Sequence, residues 1–514
     1  MGVGKSTVAT AVAAQLGSRA VDLDEVIAER AGCSVADIFR TRGEAAFREM
    51  EREEARRLCE SAGDLVVALG GGTVTDPRTR RMLLQGGVLV TLTAPVDELA
   101  RRVGEGAGRP LVGGRDVRER LEELLAARAD AYAECHGRVS TTGRPPDDIA
   151  REVVATAADP PVVVPLGRRT YQVEIGAGVR RRAGRRVAES CGGEVAVVVT
   201  DTGASSWAEG VRDVIVGAER RVVPVTLEAG EAHKTIGSVE RIWDAALDGG
   251  IDREGVVVGV GGGVVGDLAA FAASTVLRGV ALGQVPTTLL AMVDSSVGGK
   301  TGFDRPQGKN LVGTFHQPRF VLCDVDCLST LPDAERRAGL AEVVKSAWLA
   351  GEEAVSMLER DVGALVHGEP EATVRAIRMS VGLKARVVTE DEHEAGMRML
   401  LNLGHTLGHA IEAAKGYRGM RHGEAVAVGM VAAFRVAEGL GLAEPRQGDR
   451  MRALLQALGL PIEVDPHLTP HTLSFVGADK KRRGDRVRFV VPGAPGHTEI
   501  VPLETDALRR LLVR

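Results

Sequence analysis

Two hydrophobic rhythms divide the chain. Up to about residue 330, short apolar runs of strand length alternate with amphipathic helical stretches. Beyond Leu331 strand runs give way to helical periodicity, which dominates to about Leu458. Val66-Val67-Ala68-Leu69 and Val88-Leu89-Val90-Thr91-Leu92 read as buried parallel strands, since strands covered by helices on both faces are apolar throughout. Ser6 to Leu16, Ala45 to Cys59 and Val117 to Ala133 read as helices around them, followed by a short helical segment from Asp147. This predicts an α/β layered unit over residues 1–157. Asp159-Pro160-Pro161 breaks the pattern and marks a linker over 158–165. The pattern restarts at Val162 with two strand-like runs in "VVVPLGRRTYQVEIG", and "EVAVVVTD" (194–201) and "GVVVGVGGG" (255–263) predict further buried strands. The expected organisation is a parallel α/β unit (1–157), a linker (158–165), a second α/β unit (166–330) and a mainly helical unit (331–514).

Composition narrows the function classes. At 514 residues the chain exceeds one ordinary core, and roughly 150 residues per domain suggests about three units. A net charge of −5 argues against nucleic acid or an anionic membrane surface as partner. Arg180-Arg181-Arg182 and Lys480 to Arg483 read as solvated faces. No uninterrupted apolar run reaches the ~18–20 residues of a membrane span; Val256 to Leu277 is broken by Gly266 and Asp267. The N-terminus lacks a signal-peptide pattern. The six cysteines form no disulfide framework, which fits reduced thiols in the cytoplasm, and Cys323-x-x-x-Cys327 is only half a metal site.

Chemistry enters with "MGVGKST". Gly2 and Gly4 lead into Lys5, Ser6 and Thr7, the end of a phosphate-binding loop. A helix opening at Lys5 offers free N–H groups to phosphate, the lysine reaches the β/γ-phosphates of ATP, and the Ser6 hydroxyl suits Mg²⁺. The full motif has a glycine five positions before Gly4 and a strand before that. The expectation is that about ten further residues, an apolar strand ending in glycine, precede the chain, and that kinase activity is weak without them. "VDLDEVIAERAGCSVADIFRTRGEAAFREMERE" (21–53), "LGGGTV" (69–74), "GRPLV" (108–112) and "AARADAY" stand in the order found in shikimate kinases, and nearly all of residues 1–157 resembles that family. The resemblance implies phosphorylation of shikimate by ATP. Asp24 would hold the substrate hydroxyls, and Asp22 would join Ser6 at Mg²⁺. Arg48 and Arg128 would clamp the substrate carboxylate. Gly71 and Gly72 would admit the substrate ring, and Arg109 would close with a lid over the transferring phosphoryl.

A second constellation follows. "GVGGGVVGDLAAFAASTVLRG" (259–279) has glycines where a backbone could approach a pyrophosphate. "GEAHK" (230–234), "PTTLLAMVDSSVGGKTGFD" (286–304) and "GKNLVGTFHQP" (308–318) are less common strings, and Lys300, Lys309 and Lys345 suggest an anionic substrate. In "NLGHTLGHAIE" (402–412), His405 and His409 share a helix face. With His422 and Glu342 they offer the two-His, one-Glu set of an open zinc site, with two satisfied core histidines as the alternative on spacing alone.

Together these segments resemble 3-dehydroquinate synthases over about 165–514. The resemblance implies Glu342, His405 and His422 as ligands of Zn²⁺ or Co²⁺, and His409 as a non-ligand that hydrogen-bonds in the substrate site. It implies NAD lined by Asp201, Glu231, Lys234, Gly262, Gly263, Asp267, Thr287 and Thr288, with Lys300 and Lys309 beside it. Asp294, Lys300, Asn310, Lys345, Lys384, Arg398 and Asn402 would face the substrate. Arg278 and Lys480 or Lys481 would contact its phosphate, with the partner subunit of a homodimer as one source of the arginine. Gly203 departs from the family, which often has asparagine there. The implied reaction cyclises 3-deoxy-D-arabino-heptulosonate 7-phosphate to 3-dehydroquinate with release of phosphate. The expectation is therefore a bifunctional cytoplasmic enzyme of aromatic biosynthesis using NAD, Zn²⁺ or Co²⁺, and ATP with Mg²⁺. The alternatives are a catalytically dead kinase module, a related sugar-phosphate cyclase, or a metal-dependent alcohol dehydrogenase.

Overall fold

The computed structural model describes residues 2–61, 63–104, 116–476, 482–483 and 486–513. The chain divides into two compact units, residues 1–172 and 173–514.

The first unit runs α1 (Lys5–Leu16), β1 (Arg19–Asp22), α2 (Leu23–Ala31), α3 (Val35–Glu60), β2 (Leu65–Ala68), α4 (Pro77–Gly86), β3 (Val90–Thr93), α5 (Val96–Val103), α6 (Val117–Ala127), α7 (Ala129–Ala133), β4 (Gly137–Ser140), α8 (Pro146–Ala158) and β5 (Val162–Val164). Helix starts follow side-chain caps. The Asp22 carboxylate accepts from the Asp24 N–H at 3.1 Å, and Asp76 accepts from the Thr79 N–H at 2.9 Å ahead of Pro77. Each satisfies a donor the helix leaves unpaired. The helix expected from Ala45 is the second limb of α3, which kinks at Gly43. The helix expected over 117–133 is broken at Arg128 into α6 and α7.

Strands β1 and β2 pair in parallel, as do β3 and β4, and among the described residues no ladder joins β2 to β3. Both pairs nevertheless pack on the same helices. Val8 and Val12 of α1, Ile149 and Ala150 of α8 and Val139 of β4 form a core that Val66 of β2 and Val90 and Leu92 of β3 lean against. Sequence predicts β2 and β3 as buried; here Leu65 to Val67 and Val90 to Leu92 are only half-buried. A strand inside a parallel sheet is covered along both edges, and each of these two has a partner on one.

In the second unit β6 (Tyr171–Gly176) starts a sheet continued by β7 (Val195–Asp201), β8 (Arg221–Leu227), β9 (Val256–Gly261), β10 (Ala281–Pro286) and β13 (Phe320–Asp324), in spatial order β6-β13-β10-β9-β7-β8. The ladders β7–β8, β7–β9, β9–β10 and β10–β13 are parallel. Helices α9 (Ala183–Ser190) and α10 (Ser205–Val216) cover one face, α11 (Ile236–Asp248) and α12 (Gly263–Thr275) the other. Ala196 and Val198 therefore pack with Val187 and Val211, while Val197 and Val199 pack with Val239 and Leu268. Alternate residues point to opposite faces, and with both faces covered the run must be apolar throughout, as the sequence predicts. A hairpin of β11 (Phe303–Arg305) and β12 (Gly308–Val312) lies between β10 and β13 in sequence.

Among the described residues eight helices follow: α13 (Asp333–Ala350), α14 (Glu352–His367), α15 (Pro370–Glu390), α16 (His405–Ala414), α17 (His422–Gly439), α18 (Pro445–Ala457), α19 (Pro470–Phe475) and, last, α20 (Thr505–Leu512). The helical expectation misses the antiparallel sheet of β14 (Arg482–Arg483), β15 (Arg486–Pro492) and β16 (Thr498–Glu504). Helix α17 meets its neighbours backbone to backbone. A Cβ on Gly423 would lie 1.8 Å from the Ala338 carbonyl oxygen, and one on Gly429 would lie 1.9 Å from that of Gly404. Side chains cannot be accommodated at such distances, so these glycines set how closely α13, the start of α16 and α17 approach.

We expect residues 162–514, expressed alone, to fold with an unfolding midpoint within a few degrees of the second transition of the whole chain. Scanning calorimetry of both measures this. An insoluble fragment beside a soluble full chain would show that the first unit is structurally required.

Candidate active sites

In the first unit Gly4, in a left-handed turn, hands the chain to Lys5 at the start of α1. The Ser6 hydroxyl donates to Asp22 Oδ2 at 2.6 Å, so the two residues expected at Mg²⁺ are adjacent. Asp24 follows in the first turn of α2. Its Oδ1 is buried and accepts no hydrogen bond. Burial, then the charges of Glu51 and Asp22, raise its carboxyl above the ordinary aspartate value, against the pull of Lys5 and Arg48. Arg48 bonds Glu44 at 2.9 Å and also Glu51. Arg128 and the Tyr132 hydroxyl donate to the Gly71 carbonyl at 2.9 and 2.6 Å. The segment Gly70–Gly72 is thus where Asp24, Arg48 and Arg128 converge. Gly2 packs against α5 beside Val103, and Thr7 lies in the first turn of α1. Arg109 lies outside the described residues.

A Cβ on Gly72 would sit 2.2 Å from an Arg48 guanidinium nitrogen. That nitrogen ends a flexible side chain, so Gly72→Ala should displace the guanidinium rather than unfold the unit. We expect an increase of about tenfold in KM for shikimate with little change in melting temperature, the size expected when one charge-assisted contact is weakened. Steady-state kinetics and a melting curve test this; an unchanged KM removes Arg48 from the substrate site.

In the second unit the residues expected at NAD cluster after the C-terminal ends of adjacent parallel strands. Asp201 ends β7 and accepts from the Gly203 and Ala204 N–H groups at 2.9 and 3.0 Å. Gly262 and Gly263 join β9 to α12, and Thr287 and Thr288 follow β10. This is where open α/β sheets form their ligand crevice. Lys234 donates to Asp267 and to Asn310, each at 2.6 Å, so Asn310, expected at the substrate, also touches a residue expected at NAD. Lys309 lies 3.1 Å from Glu231 and 3.4 Å from Glu412. Arg278 stands on an exposed turn leading into β10, at the far end of that strand from Thr287. This chain therefore does not bring Arg278 to the cluster. Lys480 and Lys481 lie outside the described residues.

Helix α13 carries Glu342, 1% exposed, and Lys345 one turn on, which bonds Glu342 Oε2. His405 opens α16 and His422 opens α17. Their Nε2 atoms lie 3.6 and 3.8 Å from Glu342 Oε1. That oxygen is buried and accepts no hydrogen bond. Each Nδ1 is already engaged, His405 with the Leu403 carbonyl at 3.2 Å and His422 with Glu412 at 3.1 Å. A bare buried carboxylate oxygen facing two ring nitrogens fits a cation held by three protein ligands with room for a fourth. The alternative of two satisfied core histidines leaves that oxygen unexplained. His409 is exposed, its ring 5.2 Å from that of His405.

Beside this triad Lys384 donates to Asp294 Oδ1 at 2.5 Å. Burial opposes ionisation of Asp294, yet Lys384 and Lys345 hold its carboxyl well below the ordinary value. Burial lowers Lys384, and the charges of Arg398 and Lys345 push the same way, against Asp294. Arg398, 1% exposed, donates to the Gly298 carbonyl at 2.9 Å. Lys300 and Asn402 both reach Glu394, at 2.5 and 2.9 Å.

Residues 224–338 match the family model for 3-dehydroquinate synthase N-terminal, and residues 339–482 that for 3-dehydroquinate synthase C-terminal. The 3-dehydroquinate synthase of Pelobacter propionicus is 43% identical over 352 residues, 68% of this chain and 98% of that protein. The chain belongs to the 3-dehydroquinate synthase family. The Caulobacter vibrioides synthase is 44% identical over 361 residues, again covering 98% of that protein. Residues 1–158 match the shikimate kinase model, so a shikimate kinase domain precedes the synthase and the chain has the architecture of a bifunctional shikimate-pathway enzyme. Among solved structures, 2-deoxy-scyllo-inosose synthase complexed with carbaglucose-6-phosphate, NAD+ and Co2+ is 27% identical with a TM-score of 0.61, covering 67% of this chain and 96% of that one. The 2-epi-5-epi-valiolone synthase ValA from Streptomyces hygroscopicus, with NAD+ and Zn2+ bound, is 26% identical with a TM-score of 0.60 over the same shares. No described helix is long and apolar enough to cross a membrane.

Sequence reasoning missed several residues of the synthase and kinase sites. Glu51 takes the Thr73 hydroxyl at 2.7 Å and holds Arg48; its place three residues after Arg48 on one helix was the available signal. Glu394 and Glu412 gave none, since each reads as an ordinary solvated acid.

Proposed function

We propose that the second unit cyclises 3-deoxy-D-arabino-heptulosonate 7-phosphate to 3-dehydroquinate with loss of phosphate, and that the first phosphorylates shikimate with ATP. The observation that carries the synthase reading is the bare Glu342 Oε1 faced by two ring nitrogens. Glu342, His405 and His422 would hold Zn²⁺ or Co²⁺, the ions named with the two similar structures. When bound, the metal supplies a Lewis acid and NAD a temporary hydride acceptor, at the strand ends that carry Asp201, Gly262, Gly263, Thr287 and Thr288. The chain's own groups bind and orient the substrate. Lys345, Lys384 and Arg398 form a buried cationic wall suited to a carboxylate and a phosphate. Lys300 and Asn402 exchange Glu394 for substrate oxygens. His409 offers an imidazole at the open side of the ligand set.

In the kinase unit Lys5 and the start of α1 hold the ATP phosphates, and Ser6 with Asp22 would hold Mg²⁺. Asp24, with its unbonded Oδ1 and raised carboxyl, accepts the hydroxyl proton of shikimate. One observation favours a second reading, in which this unit is a poor catalyst: among the described residues β2 and β3 share no ladder. The six cysteines are all free, which fits a reducing compartment such as the cytoplasm.

Assaying both reactions on the purified chain tests the proposal. Phosphate release from the heptulosonate phosphate without net NADH supports the synthase. Net NADH would indicate a dehydrogenase, and turnover only of another sugar phosphate a related cyclase. Failure to transfer phosphate from ATP to shikimate would favour the dead-module reading.

A further inference from the structure

What aims the His422 ring at Glu342? His405 is 7% exposed and has a backbone carbonyl on its Nδ1. His422 is the first residue of α17, with 27% of its side chain exposed, so packing restrains its ring less. Its Nδ1 partner is Glu412, which is 4% exposed and lies on a different helix, α16. A carboxylate only accepts hydrogen bonds, so the single proton of a neutral imidazole is drawn to Nδ1, and the Nε2 lone pair turns toward Glu342.

Glu412 could instead be read as a ligand, because His409, Glu412 and His422 also lie close enough to hold an ion. The contacts argue otherwise. Glu412 Oε2 is taken by His422 Nδ1, and Oε1 faces the Lys309 ammonium at 3.4 Å. Lys309 is held in turn by Glu231 at 3.1 Å and lies over the Tyr417 ring. A cation between Glu412 and His409 would have to displace that ammonium. We propose that Glu412 is a positioning residue, which fixes the tautomer and ring orientation of His422 so that Nε2 meets the metal, with Lys309 neutralising its second oxygen.

The inference rests on the metal reading, and the test separates the two. The full chain is stripped of metal and titrated with Co²⁺, reading visible absorption for ligand geometry and chelator competition for affinity. The unmodified chain should bind one Co²⁺ tightly, and His422→Ala should not. Equal binding by His422→Ala would overturn the metal reading and this proposal with it. Glu412→Ala should lower Co²⁺ affinity about 10–100-fold and alter the visible bands, while the metal-free chain melts as before. Glu412→Gln keeps an acceptor oxygen and should preserve the bands with a smaller loss, on the order of threefold to tenfold. Unchanged affinity and bands in Glu412→Ala would overturn the positioning role. If that variant does not fold, Glu412→Gln decides alone: weaker binding supports the proposal, and affinity equal to the unmodified chain overturns it.

Discussion

Replacing His422 with alanine should abolish metal binding and cyclisation together. We expect phosphate release from the heptulosonate phosphate to fall on the order of 10³-fold or more, a transition-state loss of about 4 kcal/mol. The remaining pair, Glu342 and His405, offers one carboxylate oxygen and one ring nitrogen, too few for the three-ligand set of an open site. Loss of the ring also leaves Glu412 without its His422 contact. ATP-dependent phosphorylation of shikimate should be unaffected, because all three ligands lie in residues 173–514. A chelator, removed before Mg²⁺ is supplied, should have the same selective effect on the unmodified protein. Metal content and both rates are measured on one preparation. Full cyclisation by a metal-free His422→Ala sample would sink the ligand assignment.

Giving β2 and β3 a strand to share should raise the kinase rate by about tenfold or more and the melting point of the first unit by several degrees. The two strands lean on one core yet have no common ladder among the described residues. An apolar strand between them would satisfy backbone groups worth about 1–3 kcal/mol each where buried. It would also bury side chains worth about 1.5–3 kcal/mol each, against a domain's whole margin of ~5–15 kcal/mol. The phosphate loop follows directly on a strand in folds of this kind, so such a strand would also brace Gly2 to Ser6. The test compares residues 1–514 with a version carrying about six apolar residues and a short glycine-containing link ahead of Gly2. Equal, robust rates would show that the gap is harmless.

How much of this was legible beforehand depends on where each signal lives. The strands β7 and β9 announce themselves as continuous valine runs, because being covered on both faces leaves a mark on every residue. Residue type singles out Glu342, His405, His409 and His422, which come from α13, α16 and α17, and the family resemblance chooses the triad among them. What failed were features created by another element's arrival. Glu412 sits in "HAIEAAK", an ordinary helical string, and its burial depends on α17 crossing α16. Glu394 lies in the acidic stretch "EDEHEAG", whose composition suggests a solvated loop. The sheet β15–β16 was missed although Val487, Phe489 and Val491 are buried at strand spacing, because the helical texture before it set the expectation. The half-exposed state of β2 and β3 is likewise a property of their neighbours.

The backbone contacts at Gly423 and Gly429 have a consequence for metal supply. Helices that touch through their own carbonyl oxygens hold their spacing by hard repulsion, whether or not an ion sits between them. Domains that fold only around their metal must capture it during folding or be lost. If Glu342, His405 and His422 hold the metal as proposed, the helices that carry them are spaced by contacts that owe nothing to the ion, and folding and loading become separate events. A cell short of that metal would then accumulate folded, empty enzyme, a reserve that the next influx of metal switches on without new synthesis.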